Sequence, residues 1–95
     1  MARFHVSEAF PLRSRGLFVL AGNIVDGGVT PGMFVHIPLN RSLSMSSAIH
    51  AVDFIRHADR EELGLCIKCV DDDEIELWVG LNIGSETVEV SDHDA

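Results

Sequence analysis

The sequence predicts an all-β fold, a closed antiparallel barrel of six to seven strands that occupies residues 1–95 as a single domain. Apolar and polar residues alternate along most of the chain, which is the pattern of half-buried strands. Turn signals, such as Asp26-Gly27-Gly28 and Thr30-Pro31-Gly32, separate the apolar runs. The 95 residues, 46% of them hydrophobic, allow one small core. We favour a closed barrel over a sandwich because closure removes the exposed strand edges.

The first half of the chain predicts three strands. Residues 4–6 begin the alternation, and residues 16–25 form a nearly continuous apolar run that is typical of a central strand. Gly22 within that run indicates a bend or the close approach of another backbone. Residues 33–37 form a short strand that ends at Pro38, because proline cannot donate a hydrogen bond to a neighbouring strand.

The second half begins with a long strand from Leu43 to Phe54. Its apolar residues move from odd to even positions, with Val52 and Phe54 on the even set, so we expect a bulge or bend near His50-Ala51. Three further strands follow, over residues 63–69, 75–79 and 88–90. Asp71-Asp72-Asp73-Glu74 is predicted to form an acidic turn between two of them, and no segment predicts a convincing amphipathic helix.

The charge of the chain is strongly acidic and unevenly distributed. The formal net charge is −8 and the pI about 4.8, which argues against general binding of nucleic acid or anionic membranes. Residues 1–48 contain four arginines and two acids, whereas residues 49–95 contain three basic and thirteen acidic residues. No run of 18 apolar residues and no secretory signal is present, and there are only two cysteines. We therefore expect a cytoplasmic protein that does not enter a membrane.

The order of residues in the first half resembles domain 2 of the elongation factor Tu-like translational GTPases, the barrel that follows their nucleotide domain. The resemblance is carried by the spacing of glycines and branched residues at Gly16, Val19, Gly22, Ile24, Gly27, Gly32 and Val35. Residues 49–54 and 63–69 look similar to the corresponding strands of the second half. Met33 and Asn23 depart from the family pattern, which has an acidic and a basic residue at these places.

The resemblance implies a docking role, because in the family this barrel contacts the nucleotide domain, RNA ends or ribosomal surfaces and hydrolyses nothing itself. Because a strand begins almost at Met1, we expect a stand-alone module without a GTPase domain and without GTP binding. The glycine-rich segment 22–28 has the superficial spacing of a phosphate loop, but Gly28 occupies the position where that loop needs lysine. We therefore predict a non-enzymatic interaction module with no cofactor and an unknown protein partner.

Two arginines in the first loop support an alternative function. Arg13 and Arg15 lie between the first two predicted strands and could form a basic face with Arg3 and Arg41. Such a face could contact RNA or a ribosome as an accessory protein, although a patch of four arginines without stacking aromatics gives only weak, salt-sensitive binding. A solvated loop is the competing interpretation.

The acidic turn and the tryptophan are two further candidates for partner contacts. Asp71, Asp72 and Asp73 could dock a basic partner, although consecutive acids on a turn mostly point into solvent. Trp78 is predicted to lie on the outward face of the strand 75–79, where it could anchor a partner or cap one end of the barrel.

Cys66 and Cys69 support a third hypothesis, a small metal-binding protein in which His50 or His57 supplies further ligands. On a strand the two cysteines point to opposite faces, so they cannot form a disulfide in place. We expect Cys69 to be a core residue and Cys66 to be half-exposed. The five histidines, including His36 on the outward side of its strand, show no local signature of a catalytic dyad.

Overall fold

The computed structural model describes residues 2–39 and 42–92 and shows an all-β fold with one short helix. The strands are β1 (Ala2–Leu12), β2 (Leu17–Asp26), β3 (Phe34–Pro38), β4 (Ser44–Ala48), β5 (Ala51–Arg56), β6 (Glu61–Lys68) and β7 (Glu86–Ser91), and the helix is α1 (Asp72–Gly80). All seven strands form one sheet in the order β4-β3-β7-β1-β2-β6-β5, and every pairing is antiparallel. The all-β prediction is confirmed.

The two ends of the sheet are formed by one bent segment of the chain. β4 pairs with β3 and β5 pairs with β6, and only residues 49–50 separate the two strands. The backbone N–H of Ile49 donates to Met33 O over 2.8 Å, and that of His50 donates to Cys66 O over 2.8 Å. The predicted bend near His50-Ala51 is therefore confirmed. The sheet itself is not closed, because β4 and β5 do not pair with each other.

The main hydrophobic core lies against one face of this sheet. Its largest fully buried side chains alternate along the strands as predicted, and they include Phe4, Val6, Leu20, Val35, Leu65, Ile67, Val88 and Val90. Burying each such side chain contributes about 1.5–3 kcal/mol to folding, so the period-two pattern stabilises the sheet.

The segment after Cys69 is a helix, and the predicted acidic turn and strand there are wrong. Asp71 is the N-cap, since its Oδ1 accepts a 2.9 Å hydrogen bond from Glu74 N, and three acids in the first turn complement the helix dipole. Ile75 and Trp78, three residues apart, are buried, whereas Leu77 is exposed, as a helix requires and a strand does not. No helix in the described part of the chain is long and apolar enough to cross a membrane.

β1 and β2 approach each other unusually closely at Gly22. A Cβ on Gly22 would lie 1.8 Å from His5 O, so only glycine fits there. The β1–β2 register shifts between Val6 and Glu8, which makes Ser7 the extra residue of a β-bulge. The predicted close approach at Gly22 is confirmed, and it lies directly beside the bulge.

Candidate functional site

The outer face of β1, β2, β6 and β5 carries a second, smaller apolar cluster. Leu17, Val19 and Cys66 are buried there beneath Phe10, Leu12, Ala51 and Ile55. Beside them opens a cavity of about 220 Å³, to which the charged side chains of Arg15 and Asp53 also contribute. We call it the outer groove, and it is lined by Phe10, Leu12, Arg15, Val19, Asp53, Phe54, Ile55, Gly64 and Cys66.

Phe54 lines the outer groove with 78% of its surface exposed. The period-two pattern of the sequence places Phe54 with Val52 on the apolar side of the strand. β5 is the last strand at its end of the sheet, and no described strand pairs with its second edge. An aromatic ring at such an edge has too few neighbours to be covered, so the structure leaves a large apolar side chain in water.

Cys66 lies at the bottom of the outer groove and is only 3% exposed, so the prediction of a half-exposed thiol is wrong. Burial, followed by the Asp53 carboxylate, raises the pKa of the Cys66 thiol, while Arg15 opposes this shift. Cys69 belongs to the main core on the other face, and burial raises its pKa as well. Both thiols are free and neutral at ordinary pH, which makes them poor nucleophiles and poor metal ligands.

A polar cluster lies on the same face as the outer groove. It brings together Glu8 of β1, His57 just after β5 and Glu62 of β6, each with one ligand atom within 4.8 Å of the others. We call these three residues the Glu–His cluster. His57 Nε2 lies 2.7 Å from Glu62 Oε1, and Ser7 Oγ donates to Glu62 Oε2 over 2.5 Å.

The order of these contacts differs from that of a hydrolase triad. Glu62 stands between Ser7 and His57, so the imidazole is not placed to remove the proton of the serine hydroxyl. Ser7 instead fixes the carboxylate. The β-bulge completes the cluster, because with Ser7 as the extra residue both Ser7 and Glu8 lie on the face that carries Glu62.

Glu62 is a charged residue buried to 3% exposure at the sheet surface. The hydrogen bond from Ser7 is the largest influence and lowers the pKa of Glu62, burial opposes it, and His57 and Arg60 lower it further. The net shift is downward, so the carboxylate is ionised at neutral pH. The Glu–His cluster therefore holds two carboxylates, of Glu8 and Glu62, around one imidazole.

Two of the arginines predicted to form a basic face are paired with acids. Arg13 of the first loop lies 2.9 Å from Glu76 of α1, and Arg3 lies 3.6 Å from Asp26. Arg15 lines the outer groove, and Arg41 lies outside the described residues. Of the three predicted arginines that the structure describes, two thus already have an acidic partner.

The other predicted contact residues belong to α1. Asp71 caps the helix, while Asp72 and Asp73 are exposed in its first turn. Trp78 is buried to 3% exposure and stacks on Phe18 with ring centroids 5.5 Å apart. Its predicted outward position as a partner anchor is wrong, because the helical period turns the indole onto the sheet.

The comparisons with known proteins add no relative: no protein-family model, no curated protein and no solved structure matches the chain.

Proposed function

We propose that this chain is a non-enzymatic interaction module of the cytoplasm, built on a barrel similar to domain 2 of the elongation factor Tu-like GTPases, that binds a protein partner and no GTP. The observation that carries the docking role is the outer groove, which is bordered by Phe54, a largely exposed aromatic residue on a strand with one unpaired edge.

The bent segment 44–56 supports the barrel. Its first half hydrogen-bonds to β3 and its second half to β6, so one segment contacts the strand next to each end of the sheet. Pairing of β4 with β5 would complete a cylinder from the same strand order. The glycine and valine spacing of residues 16–35 supports the family resemblance.

The partner that fits the outer groove is an extended, basic and apolar peptide segment. β5 offers an unpaired backbone edge for strand addition, and Phe54 offers a contact for an apolar side chain of the peptide. Because the chain has a net charge of −8, and Asp53 is exposed on β5 where it lines the outer groove, a cationic segment is favoured over an anionic one.

Titration of a ¹⁵N-labelled chain tests this proposal. The probe is a hexapeptide of alternating lysine and valine, and the matched control is the same peptide with glutamate in place of lysine. We expect the lysine peptide to shift the amide signals of residues 51–56 and of the other residues that line the outer groove. Binding should weaken as salt is raised, since screening reduces the attraction.

The variant Phe54→Ala should weaken this binding about tenfold or more, which is typical of an aromatic anchor at an interface. Val70→Ala is the matched control, because Val70 is equally exposed but lies off the outer groove. Shifts that map elsewhere, or an equal loss in both variants, would contradict the proposal. Binding of a single-stranded RNA probe that depends on Arg13 and Arg15 would favour the accessory RNA-binding function instead.

A further inference from the structure

The Glu–His cluster lies on the same face as the outer groove, and none of its three residues lines that groove. Its ligand atoms come from β1 and from the β5–β6 hairpin, which are far apart in the sequence and are not neighbours in the sheet, because β2 runs between β1 and β6. Two carboxylates and one imidazole within 4.8 Å of one another form a set that a divalent transition metal can bind.

We propose that Glu8, His57 and Glu62 bind one Zn²⁺ ion, which links β1 to the β5–β6 hairpin across β2. The metal would take the place of the hydrogen between His57 Nε2 and Glu62 Oε1. The two atoms are now 2.7 Å apart. Ligand atoms at about 2.0–2.1 Å from a tetrahedral zinc lie about 3.3 Å from each other. The two atoms must therefore move apart by roughly 0.6 Å to admit the ion.

The charge of the cluster favours a divalent cation. Glu62 is buried and ionised, Glu8 adds a second carboxylate, and the imidazole is the only potential cation among the three ligands. A Zn²⁺ ion would neutralise both carboxylates without the cost of leaving either one unpaired. Ser7 remains bonded to the other oxygen of Glu62 and holds the carboxylate in place, as outer hydrogen bonds do at metal centres.

The donor set also selects the class of metal. Imidazole nitrogen suits zinc and its neighbours in the first transition row, whereas Ca²⁺ takes six to eight oxygen ligands and Mg²⁺ needs an octahedral oxygen shell. Three protein ligands leave a fourth tetrahedral position for water, and Glu8 is exposed on that side. We therefore expect binding of Zn²⁺ and Co²⁺ in preference to Mg²⁺ and Ca²⁺.

Calorimetric titration of the tag-free, chelator-treated chain with zinc chloride tests the proposal. We expect one ion per chain, and a rise in melting temperature of about 10 °C or more at a hundredfold excess over Kd. Glu8→Gln and His57→Gln should each weaken binding at least tenfold. Glu61→Gln is the matched control, because it removes the same charge from the neighbouring residue of β6, whose carboxylate pairs with Arg56 instead.

Cobalt substitution separates this site from one formed by the cysteines. Co²⁺ bound by the Glu–His cluster should give weak visible bands without a thiolate charge-transfer band, and Cys66→Ala should leave them unchanged. No binding heat, an equal loss in Glu61→Gln, or a thiolate band would overturn the proposal. Glu8→Gln should leave binding of the lysine–valine peptide intact. The proposed metal site and the proposed docking function can therefore be refuted separately.

Discussion

Replacement of Gly22 by alanine should destabilise the fold severely. The new Cβ would lie 1.8 Å from His5 O and 2.9 Å from His5 C. Since carbon–oxygen contacts begin near about 3.3 Å, β1 and β2 must separate by roughly 1.5 Å. The obstacle is backbone, which cannot rotate away as a side chain can. Overpacking of this kind costs about 3 kcal/mol or more, a large part of the total of about 5–14 kcal/mol for a chain of this length.

Thermal denaturation followed by circular dichroism measures this effect. A loss of about 3 kcal/mol lowers the melting temperature of a small domain by roughly 12–24 °C. Gly64→Ala should cost less, because its Cβ would meet only side chains, the end of Ile55 at 2.9 Å and Val19 Cγ1 at 3.1 Å, and Gly84→Ala meets nothing within 4 Å. A Gly22→Ala protein that melts within about 3 °C of the parent chain would show that the two strands do not approach as described.

Three other predictions concern α1 and the buried thiol. Trp78→Ala should cost about 3–5 kcal/mol in urea denaturation, since it removes a buried ring between helix and sheet; a loss below about 1 kcal/mol would refute that packing. Asp71→Ala should cost about 1 kcal/mol through the lost cap, and Asp72→Ala, which removes a charge but no cap, about 0.3–0.5 kcal/mol; equal losses would argue against the cap. Folding raises the pKa of Cys66 above 9.0. The stability that the neutral thiol contributes is therefore present below pH 9 and is lost as pH rises through the pKa of the folded state. The free energy of unfolding, measured by urea denaturation at several alkaline pH values, should therefore fall less steeply with pH for Cys66→Ala than for the parent chain. An unchanged dependence on pH would contradict the buried, neutral thiol.

The short strands could be predicted where they bury one face. In β3, Val35 and Ile37 point into the core while His36 points outward, where it lies 2.7 Å from Ser46 Oγ and 2.6 Å from Ser91 Oγ. A period of two with this contrast determines which face of the strand meets the core. The predicted turn at Thr30-Pro31-Gly32 is also present in the structure. Met33 N donates to Thr30 O, and Gly32 has a φ of +95°.

The helix was missed because a short apolar segment fits two periods. Ile75, Leu77 and Val79 alternate as a strand would, but the buried pair is Ile75 and Trp78. The signal that decides between the periods is local: an aspartate followed three residues later by glutamate, just before an apolar run, is a helix start. Asp71 and Glu74 match this signal. A helix that begins there buries Trp78 against the sheet, whereas a strand would point it outward.

The Glu–His cluster could not be predicted from the sequence because it depends on strand register and on one bulge. Glu8 faces Ala21 only because Ser7 is inserted opposite the Gly22 contact, and Glu62 comes beside them only because β6 pairs with β2 at Gly64 and Ala21. A strand without the bulge would shift Glu8 by one residue to the opposite face of the sheet and separate it from Glu62. The same glycine that permits close strand contact thus also determines which polar side chains meet. This dependence predicts that substitutions at Gly22 that still fold will weaken zinc binding as well as stability, whereas Gly84→Ala will change neither.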